Sequence, residues 1–259
     1  LKQHLGTRDR KHGLININKG DEYKMYKIKI LNRCNDDLFE QLKKLIKKFA
    51  IDVFMVQKFN LTNESYHKKV KYINNYKKYL SADELTLLKK DIDERIEFAI
   101  KSIHLKNTVK QTRYYVLLKD NEVIAFQTAQ VRIENNIIEG WRNFAYTDNE
   151  YKGKTSEVID TYGNSQKGIL GNLLYENITK WFAKQNVVVE KTATGKNMYK
   201  NIKVYIVKKG FIPEKCDDKR VFLIKYYDRN ISKLKLKQIY NKYIFEINKN
   251  SLKNNERRC

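Results

Sequence analysis

The chain has 259 residues, enough for one ample core with appendages, and its 41% apolar and 12% aromatic residues exclude wholesale disorder. Its 53 Lys and Arg against 30 Asp and Glu leave a net charge of +23, a positive field that favours encounter with phosphates, nucleic acid, acidic proteins or anionic lipid. No apolar run nears the roughly 20 residues that cross a bilayer, and Cys34, Cys216 and Cys259 are too scattered for a zinc site, so a soluble, cytoplasmic chain with reduced thiols and no metal is expected.

Residues 1–24 are polar, basic and aperiodic, the composition of a flexible arm. From Met25, Tyr26, Ile28 and Ile30 alternate with lysines as in a half-buried strand. Asn35 and Asp36 offer an N-cap to a helix with Leu38, Phe39, Leu42, Leu45, Ile46 and Phe49 at helical spacing. Residues 51–80 lack a clean period and read as an irregular or partly helical insertion. Ser81 and Glu84 form a capping-box pattern ahead of an apolar stripe from Leu85 to Ile103. Three strands then follow, at 113–118, 123–133 and 137–146, joined by the turn-forming pairs Asp120–Asn121 and Asn135–Asn136. A helix over 168–185, a buried strand at Val187–Val189, a helix from about Asn197 to Lys209 ending at Gly210, and a strand over 221–227 complete the body. A basic amphipathic helix over 231–247 is expected beyond it. The predicted order is β, α, α, β, β, β, α, β, α, β, with an arm (1–24), a main domain (25–228, insertion at 51–80) and a basic C-terminal extension (229–259).

Two segments suggest chemistry. EYKGK at 150–154 is followed, after TSEVIDTYGNSQ, by KGILG and the helix, so Gln166, Lys167, Gly168, Ile169, Leu170 and Gly171 form a candidate anion loop at a helix N-terminus, where unpaired amides and the positive dipole end favour a diphosphate. Further on, NMYKNIKVYIVKKGF sets Asn201 and Tyr205 four residues apart, on one helical face.

With the order of elements, these two motifs resemble the GCN5-related N-acetyltransferases over roughly residues 25–228. The resemblance implies an α/β fold with a mixed, mostly antiparallel sheet flanked by helices, and transfer of an acetyl group from acetyl-CoA to a primary amine by direct attack. In that family the strand before the loop parts from its neighbour and hydrogen-bonds the pantetheine arm; Phe144, Ala145 and Tyr146 match that place, and the 166–171 loop matches the pyrophosphate cradle. This chain departs from the pattern at Leu170, where the second glycine belongs, and in the spacing from Tyr205 to Gly210. The resemblance implies Tyr205 as the acid that protonates the leaving thiolate and Glu139 as a nearby base, with Trp141 and Asn143 beside it. Asn197 and Asn201 are expected at the cofactor, Asn197 alternatively as a helix cap. The acceptor stays open, from a small-molecule amine to a protein. Two other readings also stay open: a donor carried on acyl-carrier protein or tRNA, and a non-catalytic nucleic-acid or membrane-surface binder using the basic termini, whose association would weaken steeply with salt.

Overall fold

The computed structural model describes residues 26–31, 37–59, 73–103, 110–196 and 198–256; the expected arm, the Asn35–Asp36 cap and Asn197 lie outside these. Strand β1 (Tyr26–Leu31) leads to helix α1 (Asp37–Lys58), whose buried Phe39, Leu42, Ile46 and Ala50 continue through Ile51 and Met55. The first eight residues of the expected insertion therefore belong to this helix, because the apolar stripe runs on past the point where lysines and aromatics obscure its period. A 3-10 turn (Tyr76–Lys78) precedes α2 (Ala82–Ile103). The capping box closes as predicted: the Glu84 amide donates to Ser81 Oγ (3.2 Å) and the Ser81 amide to Glu84 Oε2 (2.8 Å).

Strands β2 (Lys110–Lys119), β3 (Glu122–Glu134) and β4 (Ile137–Thr147) form the expected meander. Asp120 and Asn121 (φ 50° and 70°) and Asn135 and Asn136 (φ 50° and 61°) turn its corners in the left-handed region that Asp and Asn tolerate. The segment after β4, for which no element is predicted, forms a hairpin, β5 (Thr155–Ile159) and β6 (Ser165–Ile169). It pairs with β1 through β5, and the buried Asp160 clamps its turn, accepting from the Tyr162 and Asn164 amides (2.9 Å each) and from Lys180 Nζ (2.8 Å).

Helix α3 (Leu170–Lys184) follows directly. Then come β7 (Val189–Gly195), α4 (Tyr199–Lys203) running into a π-turn (Val204–Lys208), β8 (Ile212–Cys216), β9 (Arg220–Tyr226) and α5 (Lys233–Glu256). Strand β8, absent from the sequence reading, is a sheet edge, where Pro213 is tolerated. The nine strands lie in the order β6-β5-β1-β2-β3-β4-β7-β9-β8, and only β1/β5 and β4/β7 are parallel. This is the mixed, mostly antiparallel sheet that was expected.

Alternation along the strands serves two cores. Tyr115, Leu117, Ala129 and Val131 meet Leu170, Leu174, Ile178, Trp181 and Phe182 of α3. Tyr114, Val116, Leu118 and Phe126 meet Phe39, Leu42, Ile46 and Ala99 of α1 and α2 on the other face. A third cluster joins α3, α4 and α5 through Tyr175, Ile202, Ile206, Leu236 and Tyr243. Among the described residues no helix is long and apolar enough to cross a membrane.

Candidate functional site

The central sheet opens at one place. Strand β4 pairs with β7 over four rungs only, from Glu139–Val189 to Arg142–Thr192. Beyond them each strand keeps its outer partner: β4 stays on β3 as far as Thr147–Ala125, and β7 stays on β9 as far as Gly195–Arg220. The parting coincides with a β-bulge, where Asn143 and Phe144 both lie opposite Thr128, and the Phe144 amide donates to the Thr128 hydroxyl (2.9 Å). An extra residue on one strand bends it and increases its twist, which carries β4 away from β7. The result is a V-shaped notch edged by the backbones of residues 143–147 and 193–195, whose inward-facing N–H and C=O groups no strand takes up.

Phe144, Ala145 and Tyr146 form one wall of this notch. The two aromatic side chains turn to the α1 side, their rings 5.8 and 6.1 Å from Phe49, and Ala145 is exposed. Only the backbone of this triplet, with the small Ala145, is thus offered to the notch.

The expected loop over 166–171 is corrected by the structure. Gln166, Lys167, Gly168 and Ile169 are strand β6, in register with Val158, Glu157, Ser156 and Thr155. The inserted residues supply a complementary strand, and pairing satisfies the backbone groups that a loop would leave open. Gly168 is explained by packing, since a Cβ there would stand 3.1 Å from Leu173 Cδ2. What remains at the helix mouth is narrower. The Leu170 amide donates to the Lys154 carbonyl (3.0 Å), and Gly171 and Asn172 carry first-turn amides with no intrahelical acceptor. This mouth lies at the end of β4, where a Cβ on Gly171 would be 3.5 Å from Thr147 Oγ1.

Tyr205 sits in the π-turn, its ring edge-on to Phe211 (5.4 Å between centroids). Burial pushes the phenol pKa up, by more than Arg142 and Thr192 pull it back. The phenol is therefore protonated at neutral pH. Asn201 is exposed and Tyr205 half-buried, while Ile202 and Ile206 beside them are both buried, as their spacing predicted.

Glu139 does not stand free. It is buried at the closed end of the β4–β7 ladder, four rungs from the notch, and its carboxylate accepts from Lys191 Nζ (2.7 Å), Trp141 Nε1 (3.0 Å) and Arg132 Nη2 (3.2 Å). Burial pushes its pKa up, but the bonds from Lys191, Trp141 and Arg132 outweigh it and hold the carboxyl below its usual value. A carboxylate kept charged by three donors is a poor proton acceptor, which corrects its expected role as the base. Trp141 is its neighbour as predicted.

The sequence reading missed the charged network behind the vertex. On the α3 face the Arg142 guanidinium pairs with Glu190 and donates to the Tyr175 carbonyl (3.0 Å) and Thr179 Oγ1 (2.7 Å). Tyr175 and Tyr227 donate to the two Glu190 oxygens, at 3.2 and 2.5 Å. The available signal was a charge inside each buried strand, Arg142 in GWRNF and Glu190 in VVVEKT, since buried charges require partners. Also missed was a cleft of about 500 Å³ on the opposite face, lined by Phe54, Gln57 and Lys58 of α1, Glu84 and Leu87 of α2, and Asp218 and Lys219 of the β8–β9 turn. That turn adjoins the end of β7, where the Lys196 amide donates to the Lys219 carbonyl (2.9 Å), so the cleft borders the open end of the notch.

No protein-family model matches the chain, and no curated protein does. Among solved structures, it is similar to the PaiA N-acetyltransferase from Thermoplasma acidophilum in complex with coenzyme A, at 17% identity over 77% of this chain and 99% of that one, with a TM-score of 0.49. It is also similar to a probable acetyltransferase from Staphylococcus epidermidis, at 13% identity over 78% and 99% of the two chains, with a TM-score of 0.45. These overlaps are partial, and the fold is read from the strand order itself. A meander, a bulged fourth strand parting from a parallel neighbour, and a helix whose N-terminus meets the end of that strand are the mixed α/β arrangement expected from the resemblance to the GCN5-related N-acetyltransferases.

Proposed function

We propose that the protein is an N-acyltransferase that moves an acetyl group from acetyl-CoA to a primary amine. The observation that carries this reading is the notch between β4 and β7 whose open end meets the N-terminus of α3. An extended pantetheine arm, which carries amide groups, can enter the notch as a short extra strand and hydrogen-bond the freed backbone of residues 143–147. The diphosphate then falls at the end of β4, where Gly171 and Asn172 present first-turn amides and the exposed Lys154 and Lys167 add positive charge.

The acceptor approaches from the opposite face, through the cleft of α1, α2 and the β8–β9 turn. Phe54 and Leu87 give it an apolar wall, and Asp218 is a carboxylate at its rim for an incoming ammonium. The amine nitrogen attacks the thioester carbon and forms the C–N bond while negative charge gathers on the carbonyl oxygen, where fixed backbone N–H groups stabilise it without reorganising. As the C–S bond breaks, Tyr205 gives its proton to the departing sulfur. The surplus proton on nitrogen passes to water, from which Tyr205 is reprotonated, so no covalent enzyme intermediate is needed.

The test is calorimetric titration with CoA and acetyl-CoA, followed by a screen of amines for thiol release. Saturable binding of both ligands and amine-dependent release are expected. Absence of binding at millimolar ligand contradicts the reading.

A further inference from the structure

Helix α5 packs over the β8–β9 end of the sheet and the π-turn with one side only. Leu236 and Tyr243 are buried there, and Ile239, Tyr240 and Ile244 pack beside them. On the opposite side Leu234 and Phe245 stand about three helical turns apart, which puts them on one line along the helix. Each is 69% exposed, and they are the two most exposed large apolar side chains among the described residues. Between them on that line Gln238 and Asn241 are exposed and uncharged. Exposed Lys237 flanks the line on one side, and exposed Lys235 and Lys242 flank it on the other. The acidic side chain at this rim, Glu246, faces Lys242 at 3.9 Å.

We propose that the outer face of α5 docks the protein on an anionic lipid surface, with Leu234 and Phe245 entering the headgroup layer and the three lysines meeting lipid phosphates and carboxylates. The inference stands apart from the acyltransferase reading, since it rests on exposure and charge at a face outside the notch. Two apolar anchors on one line, about 16 Å apart, reach a flat interface together. Lysine stems lie along apolar surface while their charged heads stay in the polar layer. Because the inner side of α5 is already packed on the protein, docking has no helix to fold and meets no ordering cost of that kind. Charge complementarity sets the sign of the partner: a chain of +23 attracts anionic surfaces. Nucleic acid is also anionic, but an aliphatic side chain cannot stack on a base as a ring does. Residues 231–246 also hold no arginine, the side chain that forks onto phosphate and stacks on bases. A second copy of the chain would set lysines against lysines.

The experiment sediments the full chain with vesicles of phosphatidylcholine alone and of phosphatidylcholine mixed equally with phosphatidylserine. Partition onto the anionic vesicles is expected to exceed that onto neutral ones about tenfold or more, and to fall steeply as salt is raised. Leu234→Ser combined with Phe245→Ser is expected to lower it about tenfold, and Lys235→Gln, Lys237→Gln and Lys242→Gln together about a hundredfold. These side chains are exposed, so circular dichroism should show unchanged folding. Phe245→Trp supplies a second readout: its emission, taken as the difference from the wild-type chain, should shift to the blue on anionic vesicles and not on neutral ones. Equal partition onto the two kinds of vesicle, undiminished partition of the double serine variant, or an unshifted tryptophan overturns the proposal. Binding to tRNA without binding to vesicles assigns the face to nucleic acid and overturns it. Dimerisation that the serine changes abolish, again without vesicle binding, assigns the face to a second copy and overturns it as well.

Discussion

Arg142 and Glu190 form an ion pair that joins β4 to β7 just short of the point where the two strands part, with side-chain exposures of 1% and 0%. Hydrogen bonds from Tyr175 and Tyr227 complete the carboxylate, so the pair satisfies the condition under which buried charges persist. Its position makes it the rivet of the V: it closes the ladder below the notch.

Removing one partner leaves the other charge buried and alone. Arg142→Met is expected to lower stability to urea by about 3–5 kcal/mol, whereas Arg142→Met combined with Glu190→Leu recovers much of the loss. Glu190 also has a pH signature. Burial pushes its pKa up, but Arg142 and the Tyr227 bond more than offset this, so its folded value lies below the ordinary one. Its contribution is therefore present above the unfolded carboxylate pKa of about 4.3 and is lost as pH falls through the depressed folded value. Urea midpoints taken between neutral and acid pH should show the loss in the wild-type chain and a flatter acid side in the double variant.

Tyr205→Phe is expected to lower kcat by about 10²-fold or more and to leave the CoA dissociation constant within about threefold. Steady-state kinetics with calorimetry separate the two effects. A change confined to affinity assigns Tyr205 to binding.

Glu139→Gln tests the correction made to that residue. Its carboxylate ends three hydrogen bonds and lies away from the notch, so the substitution should cost about 1–3 kcal/mol of stability while kcat per folded molecule stays within about threefold. A collapse of kcat in a stable Glu139→Gln chain would restore it as the base.

Two glycines of β4 and α3 should respond in opposite ways. A Cβ at Gly140 would meet the Phe182 ring at 2.9 Å, so Gly140→Ala is expected to destabilise by about 1–3 kcal/mol. At Gly171 the nearest atom is Thr147 Oγ1 at 3.5 Å, so Gly171→Ala should fold normally, while Gly171→Glu, which sets a negative charge at the helix mouth, should weaken CoA binding about tenfold or more. Melting curves and titration distinguish these outcomes.

The fold was legible where local chemistry and periodicity agreed. Ser81 and Glu84 announce α2, the Asn and Asp pairs announce the corners of the meander, and Leu173, Leu174, Ile178, Trp181 and Phe182 announce the buried face of α3. It was obscured where pairing partners decide the structure. SQKGI reads as a glycine loop beside a helix; it is a strand only because Thr155–Ile159 lies alongside it, and glycine-poor β5 gave no separate signal. The bulge at Asn143 and Phe144 and the π-turn at Val204–Lys208 likewise left no mark on the sequence periods, since each is a local irregularity inside an otherwise regular element.

Hydrogen exchange in the presence and absence of CoA tests the central claim most directly. If the notch takes the pantetheine arm and the mouth of α3 takes the diphosphate, amides in residues 143–147 and 171–172 should exchange more slowly with saturating CoA, and the outer strands β6 and β8 should be unchanged. Saturating CoA that leaves both segments unprotected, or that protects a region remote from the β4–β7 notch, would contradict it.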